Sequence, residues 1–199
     1  MVIKWFCENF NYLINKNTPY LESFRHKEHF NRCLNDNVLV FVHPFYHEMG
    51  GASIALTDYY HDYKSLLFNL MGVSGWSKAW FTFPLVYDEG RNLLENGFFT
   101  KAFFTEFGSG NPLIPSELDE FKSKNFVLLG CYADQCIDDL VRSFKDRNIK
   151  DVSVLCEGVL FSSRGPEGII RSNDYLFNRY VSDGIISKVN VVHLSDLIV

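Results

Sequence analysis

The chain has 199 residues, enough for one domain whose core needs no disulfide or metal staple. Hydrophobic residues make up 47% and charged residues 22%, the ordinary balance of a soluble globular protein. A net charge of −5 argues against a nucleic-acid-binding surface, which needs clustered Lys and Arg, and no apolar run approaches the roughly 20 residues that cross a bilayer.

The first element, "MVIKWFCENFNYLINK", has Glu8 and several Asn inside its apolar segment and lacks a small-residue cleavage site. It reads as a short amphipathic helix, with Trp5, Phe6, Phe10 and Leu13 near helical spacing, and not as a signal peptide. Residues 1–36 are expected to form a polar-faced helical extension packed on the domain, broken at Thr18-Pro19. The five Cys are an odd number without framework spacing, which suits a reducing, cytoplasmic location.

From residue 37 onward strands and helices alternate. "VLVFVH" (38–43) is a buried-strand run ending in His43-Pro44. Beyond the loop "PFYHEMGGAS", residues Leu56, Tyr59, Tyr60, Tyr63, Leu66, Leu67 and Leu70 repeat at three and four, the pattern of a helix with one apolar face. "KAWFTFP" (78–84) is a second strand and "GFFTKAFF" (97–104) holds a short third. "NPLIPSELDEFKSK" (111–124) gives a turn and a short helix from near Ser116. "NFVLLG" is a fourth strand, followed by an amphipathic helix from Asp134 to Asn148 with Ile137, Leu140, Val141 and Phe144 on its apolar face. "DVSVLCEG" (151–158) is a fifth strand, and "SSRGPEG" (162–168) a surface loop. Residues 172–184 form a helix capped by Ser172 or Asn173 and closed by Gly184, and "KVNVVHL" (188–194) is a sixth strand.

The strands are continuous apolar runs. That pattern predicts an α/β fold: three αβα layers around a mostly parallel six-stranded, Rossmann-like sheet. In such sheets sites form at the carboxyl ends of strands. His43, Lys101 and the Gly130–Cys136 break all fall at or just past those ends. Cys136 is expected at the first turn of a helix, where free N–H groups and the dipole favour a thiolate and lower its pKa. The same N–H groups suit an oxyanion. His43 is a candidate proton acceptor and Lys101 a candidate stabilising cation.

The segment "GCYADQCIDDLVRSFKDRNIKDVSVLCEG" resembles the signature of the isochorismatase-like cysteine hydrolases, with Gly130, Asp134 and Cys136 in register. The resemblance covers residues 37–199 as architecture and is specific across 125–158. It implies a hydrolase of a small amide, a related C–N compound or an isochorismate-like substrate. Cys136 would be the nucleophile and Lys101 the lysine of the triad, while the aspartate position is held by His43, a departure. Either an altered hydrolase or an inactive fold used as a binding module follows. Tyr132, Ala133 and Asp134 would form the oxyanion loop, with a cis bond between Cys131 and Tyr132. Phe45, Tyr46, Phe83, Phe103 and Phe104 would line an apolar substrate pocket. The family's metal-binding histidine loop is not seen after "WFTFP", so no metal and no cofactor are expected. The implied partners are a small-molecule substrate and further copies of the chain in a homo-oligomer, with no nucleic acid and no membrane.

Each residue also has a plainer reading. Cys136 is equally a small buried hydrophobe, Lys101 a solvated lysine and His43 a strand end bonded to a carbonyl. Asp134 is read equally as a helix cap. His43, His47 and Glu48 lack helical metal-site spacing. Cys131 and Cys136 form a C-x4-C pair, a weak redox signal.

Overall fold

The structure, a computed structural model, describes residues 32–44, 58–84, 93–162 and 169–197. Seven strands form one sheet: β1 (Asn37–Val42), β2 (Ser77–Thr82), β3 (Lys101–Phe104), β4 (Asn125–Cys131), β5 (Ser153–Ser162), β6 (Ile169–Arg171) and β7 (Asn190–Val192). Their order is β3-β2-β1-β4-β5, with both β6 and β7 on the outer edge of β5. Only the pairing of β6 is antiparallel. Six strands are thus parallel, as the apolar runs predict. The seventh, β6, comes from a segment too short for a strand pattern to be read.

Among the described residues, the α-helices include α1 (Asp58–Met71), α2 (Asp138–Asp146), α3 (Asp174–Ser182) and the short α4 (Leu194–Leu197). Strand alternation explains the layering. Val38, Val40 and Val42 of β1 enter one cluster with Leu140, Val141 and Phe144 of α2 and Phe177 of α3. Leu39 and Phe41 enter the opposite cluster with Tyr63, Leu67 and Leu70 of α1. A central strand covered on both faces has no polar side to show, so its sequence is uninterrupted apolar. Among the described residues no helix is long and apolar enough to cross a membrane.

The helical extension expected over 1–36 lies outside the described residues except for 32–36, which are not helical. There Leu34 is buried in the core, and the Asn35 N–H donates to Ser77 Oγ at 2.8 Å. Phe45, Tyr46, His47 and Glu48 lie outside the described residues, as does the 163–168 loop.

The order places a reversal at β1 and β4. From β1 the chain winds outward through β2 and β3, then returns to add β4 and β5 on the other side. In open parallel sheets the carboxyl ends of two such strands splay apart and leave a crevice. Val42 pairs with Gly130, so His43 and the turn after Cys131 leave the sheet side by side.

Candidate active site

Gly130 permits that approach. Its φ is +127°, and a Cβ there would lie 1.9 Å from the Val42 carbonyl oxygen. Beyond it the Cys131–Tyr132 peptide bond is cis, where the resemblance implies one. The chain then makes one wide turn over Ala133–Ile137, in which the Ile137 N–H donates to the Tyr132 carbonyl five residues back, the π-type pattern. Regular helix starts only at Asp138.

Cys136 sits in this turn, buried in the α2-side cluster. Its thiol is pushed up to about 12, chiefly by burial; hydrogen bonds with the backbone of Tyr132 and of Cys136 itself work the other way, and Asp139 and Asp134 add to the rise. The expected lowering at a helix start is therefore corrected. Loss of water outweighs the dipole, because the turn is packed into the core and two carboxylates stand nearby. The Gln135 and Ile137 N–H groups both bond the Tyr132 carbonyl, so the expected oxyanion segment is partly spent within the turn.

Asp134 does not cap the helix. Its two oxygens accept from the backbone N–H and the hydroxyl of Ser162, both at 2.8 Å, and so tie the turn to the end of β5. Cys131 is buried, with its sulfur 3.2 Å from the Tyr63 hydroxyl, and burial pushes it up to about 12.

His43 is buried and takes φ +42°, uncommon for a residue with a side chain. Its ring lies against Phe83, with centroids 3.9 Å apart, and its Nε2 is 2.8 Å from Thr105 Oγ1. Nδ1 is buried without a partner among the described residues. Burial lowers the ring pKa to about 3, so His43 is neutral imidazole. No hydrogen bond joins it to Cys136 among the described residues.

Lys101 is not brought to this rim. It opens β3 level with Ala79 of β2, and its Nζ pairs with Glu120 at 2.5 Å beside the Phe103 ring. Three residues of strand, about 10 Å, separate that level from the end of β3. The place at the end belongs to Thr105, fully buried, with its N–H donating to the Thr82 carbonyl. Sequence reasoning missed Thr105; only the strand register reveals it. Of the expected pocket aromatics, Phe83 adjoins His43 and also Phe107. Phe103 is fully buried and stacks on Phe81 as core, whereas Phe104 packs on the opposite face. Tyr132 packs on that second face too.

After Thr105 the chain turns back, and this turn rests on the cysteine segment. Ser109 Oγ donates to Asp139 Oδ2 at 2.7 Å, and a Cβ on Gly110 would come within 1.6 Å of the Cys136 carbonyl oxygen. Carboxyl-end residues of β1, β3 and β4 thus lie together at one rim of the sheet.

No family model matches the sequence, and no curated protein matches it. Four chains among the solved structures match, and two of them show the fold. An isochorismatase from Pseudomonas putida KT2440 superposes with a TM-score of 0.57 at 11% identity, over 82% of this chain and 90% of that one. A protein from Oleispira antarctica assigned as an isochorismatase hydrolase gives 0.54 at 13% identity, over 82% and 96%. Sheet order and superpositions agree: the chain has the isochorismatase-like fold.

Proposed function

We propose that the protein is a hydrolase of a small amide or related C–N substrate, acting through Cys136 with His43 as base and Thr105 as its positioning partner. The observation that carries this is the His43 ring. It is buried at the end of β1, held by Thr105 through Nε2, with Nδ1 unpartnered among the described residues. If Nε2–H donates to Thr105, Nδ1 keeps its lone pair free for a proton. Cys136 rests as a neutral thiol and His43 as a weak base near 3, so the proton passes to Nδ1 only in concert with sulfur attack on the carbonyl carbon, as negative charge develops beside the ring. The imidazolium then protonates the leaving amine, and water cleaves the thioester with His43 again as base.

The test is hydrolysis of a panel of small amides and esters. Cys136→Ala is expected to fall to background. His43→Asn is expected to lose about 10²–10⁴-fold in kcat, the usual contribution of a general base. Thr105→Val is expected to lose less, with a shifted pH profile. Full turnover in Cys136→Ala overturns the reading.

A second reading, a binding module without catalysis, is favoured by the thiol held up to about 12 and by Lys101 being engaged with Glu120. It predicts no turnover on the panel, together with ligand binding that Cys136→Ala leaves unchanged.

A further inference from the structure

Away from the crevice, the middle of β5 is irregular. Leu128 pairs with Val154 and Gly130 with Val159, so two steps along β4 match five along β5. The surplus bulges out around Cys156–Gly158. Among the described residues the outer edge of β5 is unpaired at the same level. There β7 pairs only with Ser153–Leu155, and β6 only with Leu160–Ser162. Bulges re-aim side chains, and they occur beside functional sites.

Three elements converge on this gap. Cys156 comes from the bulge, Asp174 opens α3, and His193 follows β7. One ligand atom of each lies within 4.8 Å of the other two. Cys156 Sγ is 3.5 Å from Asp174 Oδ1, and His193 Nδ1 is 3.6 Å from the same oxygen. In a tetrahedral site with bonds of about 2.0–2.3 Å, ligand atoms stand roughly 3.3–3.8 Å apart. The two separations to Asp174 are those of a tetrahedral edge, and the third, between Cys156 and His193, is within 4.8 Å.

A nucleophile–base–acid relay fits less well. It needs the acid on one ring nitrogen and the nucleophile on the other. Here Asp174 and Glu157 both approach Nδ1, Glu157 Oε1 at 3.1 Å. Ser172 Oγ lies 3.2 Å from the Cys156 sulfur, placed to donate to a thiolate. A mixed sulfur, nitrogen and oxygen donor set suits zinc and its late first-row neighbours, not calcium or magnesium.

We infer that Cys156, Asp174 and His193 form a binding site for a zinc-class divalent cation that clasps the β5 bulge to α3 and the end of β7. Cys156 is buried and Asp174 is exposed, so the fourth position faces solvent. On binding, the cation replaces the Nδ1 proton now shared with Glu157 and displaces the thiol proton. This site is distinct from the loop after β2, where the sequence gives no metal-binding histidines.

The experiment uses the full chain, reduced and chelator-treated, titrated with cobalt(II) and then zinc. The expected result is one equivalent of cobalt with thiolate charge-transfer absorption and the strong visible bands of a tetrahedral centre. Zinc should bleach both and raise the Tm. His193→Gln, at a half-buried position, and Asp174→Asn, at an exposed one, should weaken binding by about tenfold or more. Cys156→Ser should abolish the charge-transfer band, whereas Cys136→Ser and Cys131→Ser should keep it. No stoichiometric band, or a band lost in Cys136→Ser and kept in Cys156→Ser, overturns the inference.

Discussion

At the scale of single residues, the informative one is His43. Its low pKa has a consequence that needs no substrate. The folded value is about 3, set by burial, against an ordinary 6.5. Between those values the unfolded chain binds a proton that the folded chain refuses, so stability is full above 6.5 and falls as pH drops toward 3. From pH 7 to pH 5 the loss is about 2 kcal/mol from this group alone. Asn tolerates the left-handed backbone but does not titrate. His43→Asn should therefore remove that share of the acid sensitivity. Urea unfolding of both proteins across pH 5–7 measures it, and parallel curves would refute the assignment. His43 was legible in the sequence as the end of an apolar run. Thr105 was not, because a threonine after a Phe pair carries no signal until strand register places it opposite His43. Lys101 shows the converse. Its spacing looked right, but β3 begins there, and Glu120 takes its charge.

At the scale of elements, the crevice depends on two close backbone approaches. Gly130 lets β4 pass the Val42 carbonyl, and Gly110 lets the turn after Thr105 settle on the Cys136 carbonyl. A methyl at either place overlaps backbone, which cannot swing away like a side-chain tip. Gly130→Ala and Gly110→Ala should each cost about 3 kcal/mol or more. Gly184, which closes α3 at φ +72° with open space around it, should cost only about 1 kcal/mol when replaced by Ala. Thermal unfolding of the three variants checks the ranking. Losses at Gly130 and Gly110 no larger than at Gly184 would refute the crowding argument. The sequence marked Gly130 as a break, and the sheet gave the reason. The helix predicted from Asp134 is regular only from Asp138, because the wide turn before it keeps Cys136 packed inward.

At the scale of the whole molecule, bulky aromatics hold the α2 side together. Phe121 contacts the rings of Phe81, Phe103, Phe126 and Phe144. It comes from the short helix Pro115–Phe121, whose terminal residue plugs the layer between β4 and α2. Phe121→Ala should cost about 3–5 kcal/mol in urea unfolding, the range for removing a buried ring; a loss under about 1 kcal/mol would show that the neighbours close the gap. By itself the sequence determined the layered α/β fold, because an apolar run without alternation can be satisfied only by cover on both faces. It also determined where Cys136 and His43 leave the sheet, because strand ends are local features. The tertiary structure alone decided what those residues meet: Thr105 in place of Lys101, a thiol held neutral by burial, and Cys156, Asp174 and His193 gathered across a bulge. Such meetings depend on register between distant strands and on exclusion of water, and neither is written in local spacing.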